Sequence, residues 1–400
     1  MLLELGKVGL HQPEKPLPAV PFFRADIGQE EIDAVVRVLR SGWLTSGSET
    51  QAFEEEFAEF IGGQVEAVAV NSCTAGLHLV LEALSIGPGD QVLVPDITFT
   101  ATAEVVRNVG AEVVLVDIDP SSLNIDLDSA SNAITSRTKA VMPVHMAGHP
   151  VDLNELHALA SCHKLKIIED AAHALPTTFE GKLIGGHRTS DAVVFSFYAN
   201  KTITSGEGGM IVSRHKDLLE RCRKMRMHGI DRDVHDRFTS QSVKWQYDVV
   251  APGFKYNITD IASAIGRVQL RKCHRLQKSR SLMVEIYDQR LADLPLILPP
   301  RRPGSDLHAW HLYIVQLNED SPISRSQLTA ILDDASIGYS VHYTPLHRLK
   351  YWRERYGLCD DDFPNATRYS DRCLTLPLYP FMGESAYQRT IDTLSMALNR

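Results

Sequence analysis

Cysteine is sparse and scattered. The six residues Cys73, Cys162, Cys222, Cys273, Cys359 and Cys373 form no C-x-x-C pair, so a zinc or iron–sulfur site finds no ligand set. They read as reduced thiols, buried or idle. Positive charge is not in excess either. A net charge of −9 argues against a nucleic-acid partner, since phosphate backbones reward a basic face. It does not exclude a phosphate-bearing small molecule, which answers to local groups. No apolar run approaches the ~18 residues of a membrane span, and charge interrupts Met1-Leu2-Leu3-Glu4-Leu5-Gly6-Lys7, so a secretory leader is not expected. A cytoplasmic chain with no membrane partner is the expectation. Low-complexity tracts and internal repeats are missing as well. What remains is a globular composition, 44% hydrophobic and 23% charged over 400 residues, long enough for two or three domains.

Pro13, Pro16, Pro18 and Pro21 mark an extended N-terminal arm, taken as residues 1–24. Apolar residues then recur at helical spacing, first at Ile32, Val35, Val36 and Leu39, then at Phe53, Phe57, Phe60 and Ile61. From residue 67 short apolar runs alternate with helical stretches. Strands are expected at 67–70, 92–94, 113–116, 140–144 and 165–168, with helices at 75–84, 101–109 and 153–162. β-Branched runs without polar alternation indicate parallel strands covered on both faces. The rhythm therefore predicts an α/β layered large domain over 25–275. Two more strands, 192–197 and 210–212, flank Lys201. Helix is expected up to Met227 and again over 258–270, on either side of a polar-aromatic loop at 228–256. A smaller α+β domain is placed at 276–400, its entry marked by the proline-rich 294–303. Within it the pattern predicts strands at 311–317 and 339–343 and a helix at 326–335.

Several of these strand ends carry chemistry. Val70-Asn71-Ser72-Cys73-Thr74-Ala75-Gly76 runs from a strand through a small-residue turn into a helix, where free N–H groups suit a phosphate. Plain N-capping is the simpler account of that turn alone. Phe99 follows the next strand and could lie on a planar ring, although most such phenylalanines are core. Asp170 ends the strand 165–168 at the carboxyl edge, where open α/β sheets place ligands. His173 stands three residues on. Ser196 and Lys201 follow the strand 192–197. A lone loop lysine is usually a solvated group; the order phosphate turn, aromatic, aspartate, serine, lysine is what makes this one a candidate. A lysine amine can form a Schiff base with the aldehyde of pyridoxal phosphate, while an aspartate keeps the pyridine nitrogen protonated so the ring accepts electrons.

The chain resembles the DegT/DnrJ/EryC1/StrS family of sugar-nucleotide aminotransferases, within the fold-type I pyridoxal phosphate enzymes. The resemblance spans nearly the whole length. It rests on Gly42-Trp43-Leu44-Thr45-Ser46-Gly47, Ser72-Cys73-Thr74-Ala75, Thr98-Phe99-Thr100-Ala101-Thr102, Pro143-Val144-His145, Glu169-Asp170-Ala171-Ala172-His173 and Ser196-Phe197-Tyr198-Ala199-Asn200-Lys201. Gly253-Phe254-Lys255-Tyr256-Asn257-Ile258-Thr259-Asp260 and Leu376-Pro377-Leu378-Tyr379-Pro380 complete it. It implies a mostly parallel seven-stranded sheet in the large domain. It implies Lys201 as the Schiff-base lysine and proton shuttle, Asp170 on the pyridinium nitrogen, and Phe99 with His173 about the ring. Thr74, Ala75 and Ser196 would hold the phosphate, with Asn257 reaching it from the neighbouring subunit of a homodimer. Lys255 could do similar work. His342, in Val341-His342-Tyr343-Thr344-Pro345-Leu346-His347, corresponds to a position near the family's substrate pocket.

Two departures stand out. Cys73 and Gly76 replace a usual glycine and alanine in the phosphate turn, so residue 73 needs ordinary backbone angles. Thr375 stands where a serine is usual. The activity implied is transfer of an amino group from glutamate, which leaves as 2-oxoglutarate, to a keto sugar on a nucleoside diphosphate. Likeness to members acting on 4-keto sugars points to C4, with C3 the alternative. Relatives that remove a hydroxyl carry histidine at the lysine position, so Lys201 argues against dehydration. A cofactor-binding regulator of the same fold is the remaining alternative. The loop 228–256 is the candidate for substrate selection, against a solvated excursion or a dimer contact.

Overall fold

The computed structural model describes residues 18–62, 64–231, 247–302, 304 and 306–399. Most of the expected arm and the centre of the loop 228–256 lie outside those residues.

Helices α1 (Gln29–Ser41) and α2 (Ser48–Ile61) come first. The alternation then runs β1 (Glu66–Val70), α3 (Cys73–Ala83), β2 (Gln91–Pro95), α4 (Ala101–Asn108), β3 (Glu112–Val116), α5 (Leu127–Asn132), β4 (Thr138–Val141), α6 (Leu153–His163) and β5 (Lys166–Asp170). A short hairpin, β6 (Thr178–Phe179) with β7 (Lys182–Leu183), precedes β8 (Ala192–Ser196), β9 (Gly209–Ser213) and α7 (Lys216–Met225). After α8 (Asp260–Leu291) come β10 (Leu296–Ile297), β11 (Tyr313–Leu317), α9 (Arg325–Asp334), α10 (Lys350–Tyr356), α11 (Pro364–Arg372), β12 (Cys373–Leu376) and α12 (Glu384–Leu398).

Seven strands form one sheet in the order β1-β9-β8-β5-β4-β2-β3. All pairs are parallel except those of β9, which runs antiparallel to both β1 and β8. The mostly parallel seven-stranded sheet expected of the sequence is present. Its strands are covered on both faces by two apolar clusters. One gathers Phe53, Phe57, Phe195 and Phe197 beneath α2, and the other packs Leu77, Val80 and Leu81 of α3 against Val194 and Ile211. The four phenylalanines contact one another at centroid distances such as 5.2 Å for Phe57–Phe195; truncating a buried ring of this kind costs about 3–5 kcal/mol.

The reversed direction of β9 matters for the site. It pairs Gly209 with both Val70 and Ser196, so the start of β9 meets the carboxyl ends of β1 and β8. A Cβ at Gly209 would sit 2.7 Å from the backbone of Ser72 and Cys73, so only glycine lets the turn come this close.

Two expectations in the C-terminal part need correction. Residues 339–343 are not a strand: Ser340 makes a single bridge to Thr375. Its N–H donates to the Thr375 carbonyl at 3.1 Å and its carbonyl accepts in return at 2.8 Å. Beyond it the chain leaves the sheet to bring His342 and Tyr343 to a cavity. The third strand of that sheet is β12, in the order β10-β11-β12. The helix expected over 258–270 instead continues to Leu291. Its buried stripe passes through Leu276, Gln277 and Arg280 before Met283 and Tyr287, and the polar members hide the period. The helix carries the chain straight through residue 276.

Gly76 explains one of the sequence departures. A Cβ there would lie 2.6 Å from Cγ1 of Val194 and 3.2 Å from Cγ1 of Ile211. The alanine usual at this position would overpack α3 on the sheet. Gly76→Ala is expected to lower stability by about 1–2 kcal/mol. Adding Val194→Ala should recover part of that loss in urea denaturation; a single variant as stable as the parent would refute the packing argument.

Candidate active site

A cavity of about 460 Å³ opens where the carboxyl ends of β1, β2, β5 and β8 converge, within the range of small-molecule sites. Ser72, Cys73 and Thr74 line it from the first turn of α3, and Thr98, Phe99 and Thr102 from the segment after β2. Asp170 and His173 come from the end of β5, Ser196 and Lys201 from the end of β8 and beyond, and His342 and Tyr343 from the C-terminal part. The structure thus brings Lys201 and Asp170 into one chamber with Thr74, Phe99, His173, Ser196 and His342. Ala75 and Asn257 lie outside its lining.

Asp170 is buried, and its carboxylate accepts from Thr102 Oγ1 at 2.8 Å and from the Ala172 N–H at 3.0 Å. Cys73 Sγ lies 3.9 Å from Oδ1. Burial pushes the Asp170 pKa up, while Thr102, Ala172 and the Lys201 charge pull it down. No ion pair to it occurs among the described residues. Lys201 is pushed in the opposite sense: burial lowers its pKa to about 8, against the opposing pull of Cys73 and Asp170. A fraction of the amine is therefore neutral, and nucleophilic, near pH 7.

His173 is buried and fixed by two bonds. The Ala147 N–H donates to Nδ1 at 3.3 Å, and Nε2 faces the Tyr343 hydroxyl at 3.2 Å. Burial, then the charge on Lys201, holds its pKa well below the usual range, so the ring is neutral. His311 packs against it with centroids 4.4 Å apart. Phe99 is 60% exposed at the mouth, its ring 6.2 Å from that of Tyr343. His342 lines the cavity, but Nδ1 is bonded to Thr375 Oγ1 at 2.8 Å and the ring stacks on Phe22. Thr375, the other departure, is thus the anchor of that imidazole.

At the phosphate turn Cys73 opens α3 and keeps a negative φ, so the residue adopts the ordinary angles its side chain needs. Ser72 caps the helix by accepting from the Ala75 N–H at 3.1 Å. The Ala75 N–H is therefore occupied by the cap. The leading N–H groups of the helix have no intrahelical acceptor and stand at the cavity with Thr74 and Ser196.

Asn257 belongs to a different cluster. Its Nδ2 donates to Ser46 Oγ at 2.9 Å, and Ser46 Oγ donates to the Ile258 carbonyl at 2.5 Å. Asp260 caps α2 by accepting from the Gly47 N–H at 2.7 Å and from the Thr50 N–H at 3.0 Å. Two motifs more than two hundred residues apart are thus one structural unit, and it carries Asn257, which is not among the residues lining the cavity.

The sequence pattern assigns no role to Thr102 or Tyr343. The signal for Thr102 is its position one helical turn after Thr98, to which it bonds at 2.8 Å. Tyr343 carries no such signal, because it reaches the site only through long-range folding.

The residues fit pyridoxal phosphate. A buried carboxylate without a protein cation suits a protonated pyridine nitrogen, a partly neutral lysine amine suits an aldehyde, and a helix N-terminus with two hydroxyls suits a phosphate. Acetylation of Lys201 in cofactor-free protein, followed across pH by mass spectrometry, is expected to show a midpoint of about 8. Because Asp170 raises that value, Asp170→Asn should move the midpoint to lower pH. An unmoved or higher midpoint would separate the two groups.

Residues 25–395 match the DegT/DnrJ/EryC1/StrS aminotransferase family. The chain is 41% identical over 377 residues to the spore coat polysaccharide biosynthesis protein SpsC of Bacillus subtilis (strain 168), covering 94% of this chain and 96% of that one. Among solved structures, the PMP form of the putative sugar aminotransferase Spr1654 from Streptococcus pneumoniae superimposes with a TM-score of 0.88 at 31% identity, covering 95% of this chain and 98% of that one. The DesV protein of S. venezuelae, in complex with a ketimine intermediate, gives a TM-score of 0.86 at 31% identity, covering 96% and 99%. The architecture is that of fold-type I pyridoxal phosphate enzymes.

Proposed function

The chain belongs to the DegT/DnrJ/EryC1/StrS aminotransferase family, and on that premise we propose that it transfers an amino group from glutamate to the keto carbon of a nucleotide-linked sugar. Its cofactor is pyridoxal phosphate. C4 is the expected keto carbon, and the product would enter surface-polysaccharide biosynthesis, by analogy with the spore coat polysaccharide biosynthesis protein SpsC. The observation that carries this reading is the joint presence of Lys201 and Asp170 in one cavity at the strand ends.

When bound, the cofactor supplies the electron sink that makes amino transfer possible. The protein's residues take the remaining tasks in this reading. Asp170 holds a proton on the ring nitrogen, and its bonds from Thr102 and Ala172 keep the carboxylate oriented. Lys201 would hold the cofactor and serve as the base and acid at the donor carbon, which a pKa of about 8 suits. His173 and Phe99 bound the ring, while Thr74 and Ser196 receive the phosphate.

Among the described residues lining the cavity, Lys201 is the one cationic side chain, although the carboxylates of glutamate and the diphosphate of a sugar both call for positive charge. That shortage supports a site completed by a second subunit, with Asn257 and Lys255 as its contribution. Helix α1 favours the same arrangement: Ala34 and Val38 pack against Ala264 and Val268 of α8, whereas Ile32 and Leu39 are exposed. The division into an arm (1–24), a large domain (25–275) and a small domain (276–400), and the use of 228–256 for substrate selection, belong to this reading.

Two experiments test it. Protein loaded with pyridoxal phosphate should be yellow and lose that colour on adding glutamate, and Lys201→Ala should reduce turnover by at least about a hundredfold. Colour that answers to no amino donor would favour the cofactor-binding regulator. Lys201→Ala and Asn257→Ala proteins, allowed to exchange subunits, should together recover about a quarter of the parent rate, since half the dimers are mixed and each holds one intact site. Exchange without recovery would mean that Asn257 serves its own chain.

A further inference from the structure

Tyr343 occupies a position in the cavity that neither cofactor attachment nor phosphate binding uses. Its hydroxyl meets His173 Nε2 at 3.2 Å, and the direction of that bond can be worked out. The Ala147 N–H donates to His173 Nδ1, so Nδ1 has no proton of its own. A neutral imidazole then carries its hydrogen on Nε2. Nε2–H must donate to Tyr343, and the phenol oxygen is the acceptor. The phenol's own hydrogen is left without an acceptor among the described residues.

The surroundings keep that hydrogen in place. Burial, reinforced by the nearby Asp170 charge, pushes the Tyr343 pKa up, so the group remains a phenol and a donor. The ring is held between Phe99, 6.2 Å away, and His173, 6.3 Å away and nearly parallel at 22°. His342, its neighbour, bonds Thr375 through Nδ1 and stacks on Phe22. Of the two adjacent residues, Tyr343 is the one whose hydroxyl is oriented by a bond from His173.

We propose that Tyr343 is a specificity-determining residue that donates its phenolic hydrogen to an oxygen of the sugar substrate bound over the cavity. This deepens the aminotransfer reading above and rests on it. The donor is oriented in advance by His173, so the bond costs little reorganisation when substrate arrives. A substrate presenting no oxygen there would leave a buried hydroxyl unpaired, which is the basis for discrimination.

The test uses Tyr343→Phe, which keeps the ring and removes the hydroxyl. Cofactor-loaded parent and variant are compared in each half-reaction, with glutamate and with the best acceptor from a panel of dTDP-, UDP- and GDP-linked keto sugars. The expected result is a fall of about tenfold in kcat/KM for the sugar, equivalent to one hydrogen bond, with a far smaller change for glutamate. Cofactor affinity, read by fluorescence titration, should stay within about twofold. Equal losses in both half-reactions, accompanied by weaker cofactor binding, would mean that Tyr343 acts only through His173 and would overturn the assignment. Parent turnover left intact by the substitution would overturn it too, without touching the aminotransfer reading. Parent protein that loads cofactor yet aminates no sugar of the panel would overturn both.

Discussion

A carboxylate at the end of β5, taken out of water and given no protein cation, is the constraint around which the site is organised. Burying a charge is costly unless hydrogen bonds and an opposite charge compensate it. Asp170 has two strong donors, from Thr102 and Ala172, and the field of Lys201 across the cavity. That is partial compensation, and it leaves the carboxylate ready for a cation the protein does not itself supply. The same low-dielectric chamber lowers the Lys201 pKa and keeps His173, His311 and His342 neutral. One physical cause therefore sets the protonation of every group that would touch the ring.

The sheet provides the rigidity this arrangement requires. Parallel strands deliver their carboxyl ends to one edge, and the single reversed strand β9 closes the turn at Ser72 through the close approach of Gly209. The unit formed by Ser46, Asn257 and Asp260 does a different task. It fixes the entry of α2 and the start of α8 together, and so holds Asn257 at a defined place. Both motifs are conspicuous in the sequence, yet the bonds between them appear only in the fold.

That contrast describes how far the sequence could be read. All seven strands of the large sheet were legible, because a strand buried on both faces writes an uninterrupted apolar run such as Val92-Leu93-Val94. Lys201, Asp170 and Thr74 were legible because each sits at the end of such a run. The C-terminal part was less so. Its strands are short, and residues 339–343 look like one although only Ser340 pairs. Arg280, buried in α8 with carbonyl acceptors from Trp310 and Leu378, breaks the apolar period that would have announced the full helix. The bond that orients Tyr343 depends on a backbone N–H at Ala147 and a ring at His173, a relation no local pattern encodes.

The two replacements in the phosphate turn look independent in sequence, and both come against Val194 of β8. Cys73 adds a side chain where the resemblance leads one to expect none; its Sγ rests 3.7 Å from the Val194 carbonyl. Gly76 removes a methyl, and the atom that methyl would strike is Cγ1 of the same Val194. The two replacements therefore meet one residue of β8, Cys73 at its carbonyl and Gly76 at its side chain. Interiors packed at crystal-like density tolerate volume-conserving exchanges far better than single additions. A methyl at residue 76 would be such an addition, and its absence lets α3 lie close on the sheet with its N-terminus at the cavity.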